Sequence, residues 1–214
     1  MMSAVANVHA EPPKTHLPRE INVPLNEQVS AACPTHMLAV YSHSPAPNAA
    51  PNPTSNAPAQ QRREVTTYPV HSLVLSAHCS NLPALPPRST ARVPENTINL
   101  PVVLLGLPSA ETFPVLQSYL YTKRVDNLLS AFMPLAPEPA TTGTPLTQII
   151  ANHSEVLGEM FDAETLLRHA MLINGVWRNA CVLGIRDDTL WGSIELAWGS
   201  LIGGLEIAAL RNSR

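Results

Sequence analysis

From residue 146 onward, apolar side chains recur every three or four positions, which predicts helices. Leu146, Ile149, Ile150, His153 and Leu157 share one face, with Gly158 as the expected stop. A longer helix follows, opened by the cap Asp162 and closed by Gly184. Its apolar positions are Leu166, Leu167, Ala170, Met171, Ile173, Trp177, Ala180 and Cys181. Asp187 or Asp188 caps a third helix, whose stripe is Trp191, Ile194, Trp198, Leu201, Ile202, Leu205 and Ala208. The short turn between the last two predicts an antiparallel helical hairpin.

The pattern before residue 134 is broken. Met37-Leu38-Ala39-Val40-Tyr41 reads as a short strand. The run Val70 to Leu82 reads as a helix buried on more than one face, with Pro69 in its first turn. The apolar run over residues 98–107 predicts a strand that Pro101 confines to an edge or to the strand's beginning. Ser109 then caps a helix carrying Phe113, Leu116 and Leu120; Pro114 implies either one lost hydrogen bond or a start near Thr112. Asp126 caps a short helix ended by Pro134. The result is an α+β fold, mainly helical, with one or two short strands.

Composition sharpens the boundaries. All 22 prolines lie at or before Pro145, whereas all three tryptophans lie beyond it. Residues 42–61 contain no leucine, valine, isoleucine or aromatic side chain and so bury too little to offset ordering entropy. The expected division is a largely disordered proline-rich region over 1–64, an α/β core over 65–133, a linker over 134–145 and a helical region over 146–214.

Charge and cysteine content exclude several function classes. The net charge is −3, and the only basic clusters are Arg62-Arg63 and Lys123-Arg124. Direct nucleic-acid binding, which needs clustered cations to release counterions, is not expected. Cys33, Cys79 and Cys181 are odd in number and widely spaced, which implies a reducing compartment, nuclear or cytoplasmic. Apolar stretches are interrupted well short of 18 residues, so no membrane partner is expected.

Candidate chemistry meets geometric limits. Cys33 and His36 have ligand-like spacing, and His71, His78 and Cys79 follow, but a structural zinc needs four convergent ligands. His78 and Cys79 are adjacent on a helix and point about 100° apart, unlike an activated nucleophile pair. Gly203-Gly204 lacks the flanking pattern of a phosphate loop. No catalytic residue, cofactor or metal is expected; a cysteine enzyme using Cys79 and His78, or a zinc module, stands as the alternative. Trp191 and Trp198, seven apart, share a helix face. They are either core anchors against the preceding helix or a stripe for a partner helix, and they are the candidate partner-binding residues.

Two stretches carry a resemblance. Val70-His71-x-Leu73-Val74-Leu75-x-Ala77-x-Cys79 is similar to the histidine-led helix of BTB/POZ domains. Phe113-x-x-Leu116-x-x-Tyr119-Leu120-Tyr121-Thr122 resembles a later helix of that fold. The order Tyr-Pro-Val-His, Ala-His-Cys-Ser-Asn-Leu-Pro, Leu-Pro-Ser-x-Glu-Thr-Phe-Pro and Tyr-Leu-Tyr-Thr-Lys-Arg resembles more closely the clampless family of basidiomycete fungi. The likeness extends through Trp177-Arg178-Asn179-Ala180-Cys181 and Leu183-Gly184. It implies a non-catalytic regulator of clamp-cell formation and dikaryotic growth under mating-type control, built on a truncated BTB-like core and acting on a regulatory protein partner. The dimerising elements of a full BTB domain are absent or replaced by the proline tail, so the resemblance does not extend to a homo-oligomer.

Overall fold

A computed structural model describes residues 17–24, 33–43, 64–87, 97–137 and 143–212. Four strands form one sheet in the order β1-β4-β2-β3: β1 Glu20–Pro24, β2 His36–Ser42, β3 Val65–Val70 and β4 Thr97–Leu107. The helices are α1 Ser72–His78, α2 Phe113–Thr122, α3 Val125–Phe132, α4 Leu146–Met160, α5 Ala163–Leu183 and α6 Asp188–Asn212. The α+β class and the helical C-terminal half agree with the sequence pattern.

The sheet is larger than the pattern predicts. β1 and β2 draw on the first 64 residues, so ordered structure reaches into the stretch expected to be largely disordered; residues 44–63 lie outside the described residues. Tyr68-Pro69-Val70 ends β3 and does not open α1. Proline is tolerated there because β3 is an edge strand. β4 is an interior strand of eleven residues. Its residues 97–101 pair antiparallel with β1, and residues 102–107 pair parallel with β2. Pro101 falls where β4 changes partner, before the β2 register begins, which is why an interior strand can contain it.

α1 is also less enclosed than expected. Leu75 is its buried residue, followed by Cys79, while Leu73 is 80% exposed. The main core instead joins both halves of the chain. Leu38, Val40, Val103 and Leu105 from the sheet, Phe113 and Leu116 from α2, and Leu166, Ile173, Leu190 and Leu201 from the last helices form one cluster. Burying such side chains contributes about 1.5–3 kcal/mol each.

α4 passes through Gly158 and ends at Met160, two residues beyond the predicted stop. Gly158 is buried at a close crossing. A Cβ placed there would lie 2.6 Å from Ile207 Cβ and 2.8 Å from the Gly204 carbonyl oxygen. Gly203 faces Ser154 in the same way, so Gly203-Gly204 serves helix packing. Arg211, in the last turn of α6, donates to the Glu159 carbonyl and, at 3.2 Å, to that of Phe161, satisfying the open end of α4. By length and composition α6 is apolar enough to cross a membrane, contrary to the reading of interrupted runs, because its leucines, isoleucines and alanines outweigh the isolated charges Glu195 and Glu206. Its Leu190, Ile194, Ala197 and Leu201 are buried in the core.

His153 of α4 is buried, and a ring nitrogen lies 3.1 Å from the Leu135 carbonyl. Burial holds its pKa below the usual 6.5, although the hydrogen bond opposes this. A histidine kept neutral in the fold charges more readily when unfolded, so its contribution is complete above about pH 6.5 and declines below. The urea midpoint is expected to fall between pH 7.5 and 5.5, and His153→Gln should flatten that decline.

Candidate interaction site

Several of the residues that carry the family resemblance meet at the seam between the α/β part and the last two helices. Asn179, on the buried face of α5, is fully enclosed. Its Oδ1 accepts from Ser109 N–H at 3.1 Å, and its Nδ2 donates to the Ser109 carbonyl at 2.6 Å and to Thr112 Oγ1 at 3.0 Å. Gly175, one turn earlier, lets the backbones approach: a Cβ there would lie 2.5 Å from Ser109 Oγ. Ser109 itself precedes a single 3-10 turn, Ala110–Thr112, and α2 begins at Phe113. That resolves the Pro114 alternatives in favour of the later start.

A second clasp lies at the α5–α6 turn. Gly184 adopts the left-handed conformation, φ 65°, that ends α5. Asn81 N–H donates to the Leu183 carbonyl at 3.1 Å, Ser80 Oγ donates to the Gly184 carbonyl at 2.9 Å, and Cys79 bridges Ile185. Asp187 is the α6 cap: its Oδ1 accepts from Leu190 N–H and from Tyr119 Oη, both at 3.1 Å. Lys123 Nζ donates to Asp187 Oδ2 at 2.8 Å. Partial burial opposes ionisation of Asp187, but these donors hold its carboxyl below the usual range. Burial, then the Asp187 contact, push the Tyr119 phenol up to about 12. Lys123 takes a left-handed backbone, φ 54°, unusual for a residue with a side chain and costing on the order of 1 kcal/mol.

His71 makes a separate contact within the α/β part. Its N–H donates to Tyr121 Oη at 2.7 Å, and its Nδ1 lies 3.1 Å from the same oxygen. The histidine and the Tyr-Thr ending therefore touch each other, 50 residues apart.

His78 and Cys79, the pair of the alternative reading, each face Lys123 or the core. His78 Nδ1 lies 3.2 Å from Lys123 Nζ. Cys79 is buried, which pushes its thiol up to about 11, with Lys123 opposing. His36 is engaged by Thr35 Oγ1 and the Pro86 carbonyl. Among the described residues no three His, Cys, Asp or Glu side chains converge. Cys181, read from its stripe as a small core residue, is exposed, because the buried face of α5 runs through Val176, Asn179, Ala180 and Leu183. Iodoacetamide at pH 7 is accordingly expected to modify Cys181 well before Cys79, as peptide mass spectrometry would show.

The structure separates the two candidate tryptophans. Trp191 is half-buried against the core and its Nε1 donates to the Ile185 carbonyl at 3.2 Å. Trp198 is 40% exposed and borders an open groove of about 300 Å³ running over the outer face of α5. Leu167, Met171 and Arg178 line the same groove, with Ile202 beside Trp198 on α6. Sequence reasoning placed Leu167, Met171 and Trp177 on the buried stripe, yet all three are exposed. Apolar residues on two opposite faces of α5 were the signal for a second surface.

Family models cover most of the chain. The clampless protein 1 N-terminal domain matches residues 1–108, and the clampless protein 1 C-terminal domain matches residues 126–214. Curated relatives named clampless protein 1, from Cryptococcus neoformans var. neoformans serotype D strains JEC21 and B-3501A, are each 31% identical over 123 residues. That alignment spans 58% of this chain and 24% of each relative, so the chain matches about a quarter of their length. No solved structure matches the chain. With two adjoining family domains matched in order, the chain belongs to the clampless protein 1 family.

Proposed function

We propose that this chain is a non-catalytic intracellular regulator of clamp-cell formation and dikaryotic growth under mating-type control, and that it acts by binding a regulatory protein. The single observation that carries the contact mechanism is the second apolar face of α5. One face is consumed by the seam, while Leu167, Met171 and Trp198 stay at the surface around one groove. Family membership supports the role in clamp formation. The BTB-like core is part of the same proposal; the His71–Tyr121 contact supports it, since it joins the two stretches that carry the resemblance.

Truncation at residue 145 is a poor test, because the core is shared and its removal would uncover Phe113 and Leu116. Surface substitutions are better. Full chains with and without Met171→Glu plus Trp198→Ser would be expressed in a clamp-forming fungus lacking the endogenous gene. Clamp connections would be counted and native complexes recovered. The folded variant should lose both clamp formation and at least one specific partner. Normal clamps with an unchanged partner set would refute the role given to this face.

A further inference from the structure

We infer that the open edge of β4 at Leu104 and Gly106 takes an extended segment of a partner protein as a further strand of the sheet. This surface is independent of the groove over α5, with which it shares no lining residue. Residues 102–107 of β4 pair with β2 along one edge, but on the other edge β1 pairs with residues 97–101 only. Just past that register, Val102 N–H donates to the Arg19 carbonyl at 2.9 Å. Backbone groups alternate between the two edges of a strand, so Leu104 and Gly106 also turn their N–H and C=O groups toward the β1 side. Leu107, of the other set, accepts from His43 N–H on the β2 side at 2.9 Å, as that alternation requires. Among the described residues, nothing bonds to the outward groups of Leu104 and Gly106.

A row of unpaired N–H and C=O groups is matched by an extended backbone, which fixes the form of the occupant. Edges not meant for pairing are blunted with lysine or proline, yet Val102-Val103-Leu104-Leu105-Gly106-Leu107 contains neither. Leu104 is 56% exposed, whereas Val103 and Leu105 are buried in the core. This chain does not supply the strand itself: Leu17, which the β1 register would set opposite Leu104, makes no backbone hydrogen bond to it. An edge this short cannot alone bury the roughly 1,200 Å² of a stable dimer, but it suits a short segment held by main-chain bonds. Side chains then set the sequence of that segment. A Cβ on Gly106 would meet the rings of Tyr41 and His43, which stand edge to face with centroids 5.5 Å apart. Leu104 shares that face of the sheet, two residues along. The incoming strand therefore presents apolar or aromatic residues at two alternate positions, opposite Leu104 and Gly106.

The probe is a displayed library of random peptides about eight residues long, selected against the full chain. Enriched peptides should carry apolar residues two positions apart, and their binding should slow hydrogen exchange at the Leu104 and Gly106 amides. N-methylation at alternate peptide positions should weaken binding about tenfold and leave the intervening positions unaffected, which is the period of a ladder. Leu104→Pro removes the outward N–H without touching the β2 ladder and, with its urea midpoint checked, should weaken binding to a similar degree. The N-methyl series needs only the unaltered chain, so it decides the matter even if that variant does not fold. Met171→Glu plus Trp198→Ser should bind the same peptides unchanged, which separates this edge from the groove. Failure to enrich any peptide, or sensitivity to N-methylation at every position or at none, would overturn the assignment. So would Leu104 and Gly106 amides as protected in the free chain as those of Val103 and Leu105. Protection that grows with protein concentration alongside a doubling of mass would replace the partner with a second copy.

Discussion

Replacing Asn179 with Ala is expected to lower stability by about 2–4 kcal/mol, read as a fall in the urea midpoint at constant slope. The loss comes mainly from what is left behind. Ser109 N–H loses its acceptor, and its carbonyl loses the 2.6 Å donor, in a site closed to water. Thr112 Oγ1 still donates to the Ser109 carbonyl at 3.1 Å, which moderates the effect. Asn179→Asp should be as damaging, because a carboxylate cannot donate to that carbonyl. A change within about 0.5 kcal/mol for both variants would show that the seam does not hold as described.

Gly158→Ala sets two effects against each other. Alanine favours a helix over glycine by about 1 kcal/mol, so an open site would be stabilised. Here the new methyl would meet Ile207 Cβ at 2.6 Å and a backbone oxygen at 2.8 Å, and backbone cannot turn aside as a flexible side chain can. The clash should win, with a net loss of about 1–3 kcal/mol and a lower midpoint in thermal melts. Gly192→Ala is the control: nothing lies near its Cβ position, and the same substitution should raise stability.

Local signals in the sequence were legible where structure is local. Asp162 caps α5 by accepting from Thr165 N–H at 2.7 Å, and Gly184 ends it, both as the pattern indicates. The helical hairpin and the family resemblance were equally readable. Strand β1 was not, since five residues of mixed polarity become a strand only by pairing with β4, some 80 residues away. Pro69 looked like a helix start because its tolerance in β3 depends on edge position, which is a property of the whole sheet. Gly158 looked like a helix stop because the sequence does not reveal that Gly204 and Ile207 approach it. Asn179 did leave a trace. It is a polar residue three positions after Val176 and four before Leu183, on the apolar face, and such a residue needs buried partners.

Asn179 of the family motifs thus lies in the seam, while Arg178 beside it faces the groove that the seam leaves uncovered, where the proposed partner would bind. If that seam binds the two parts together, the chain should unfold as one unit. Hydrogen exchange pulsed across a urea gradient reads β4 and α5 from the same sample. A single shared midpoint for peptides from both elements is the predicted result. Two separated midpoints, with α5 opening while β4 stays protected, would contradict it.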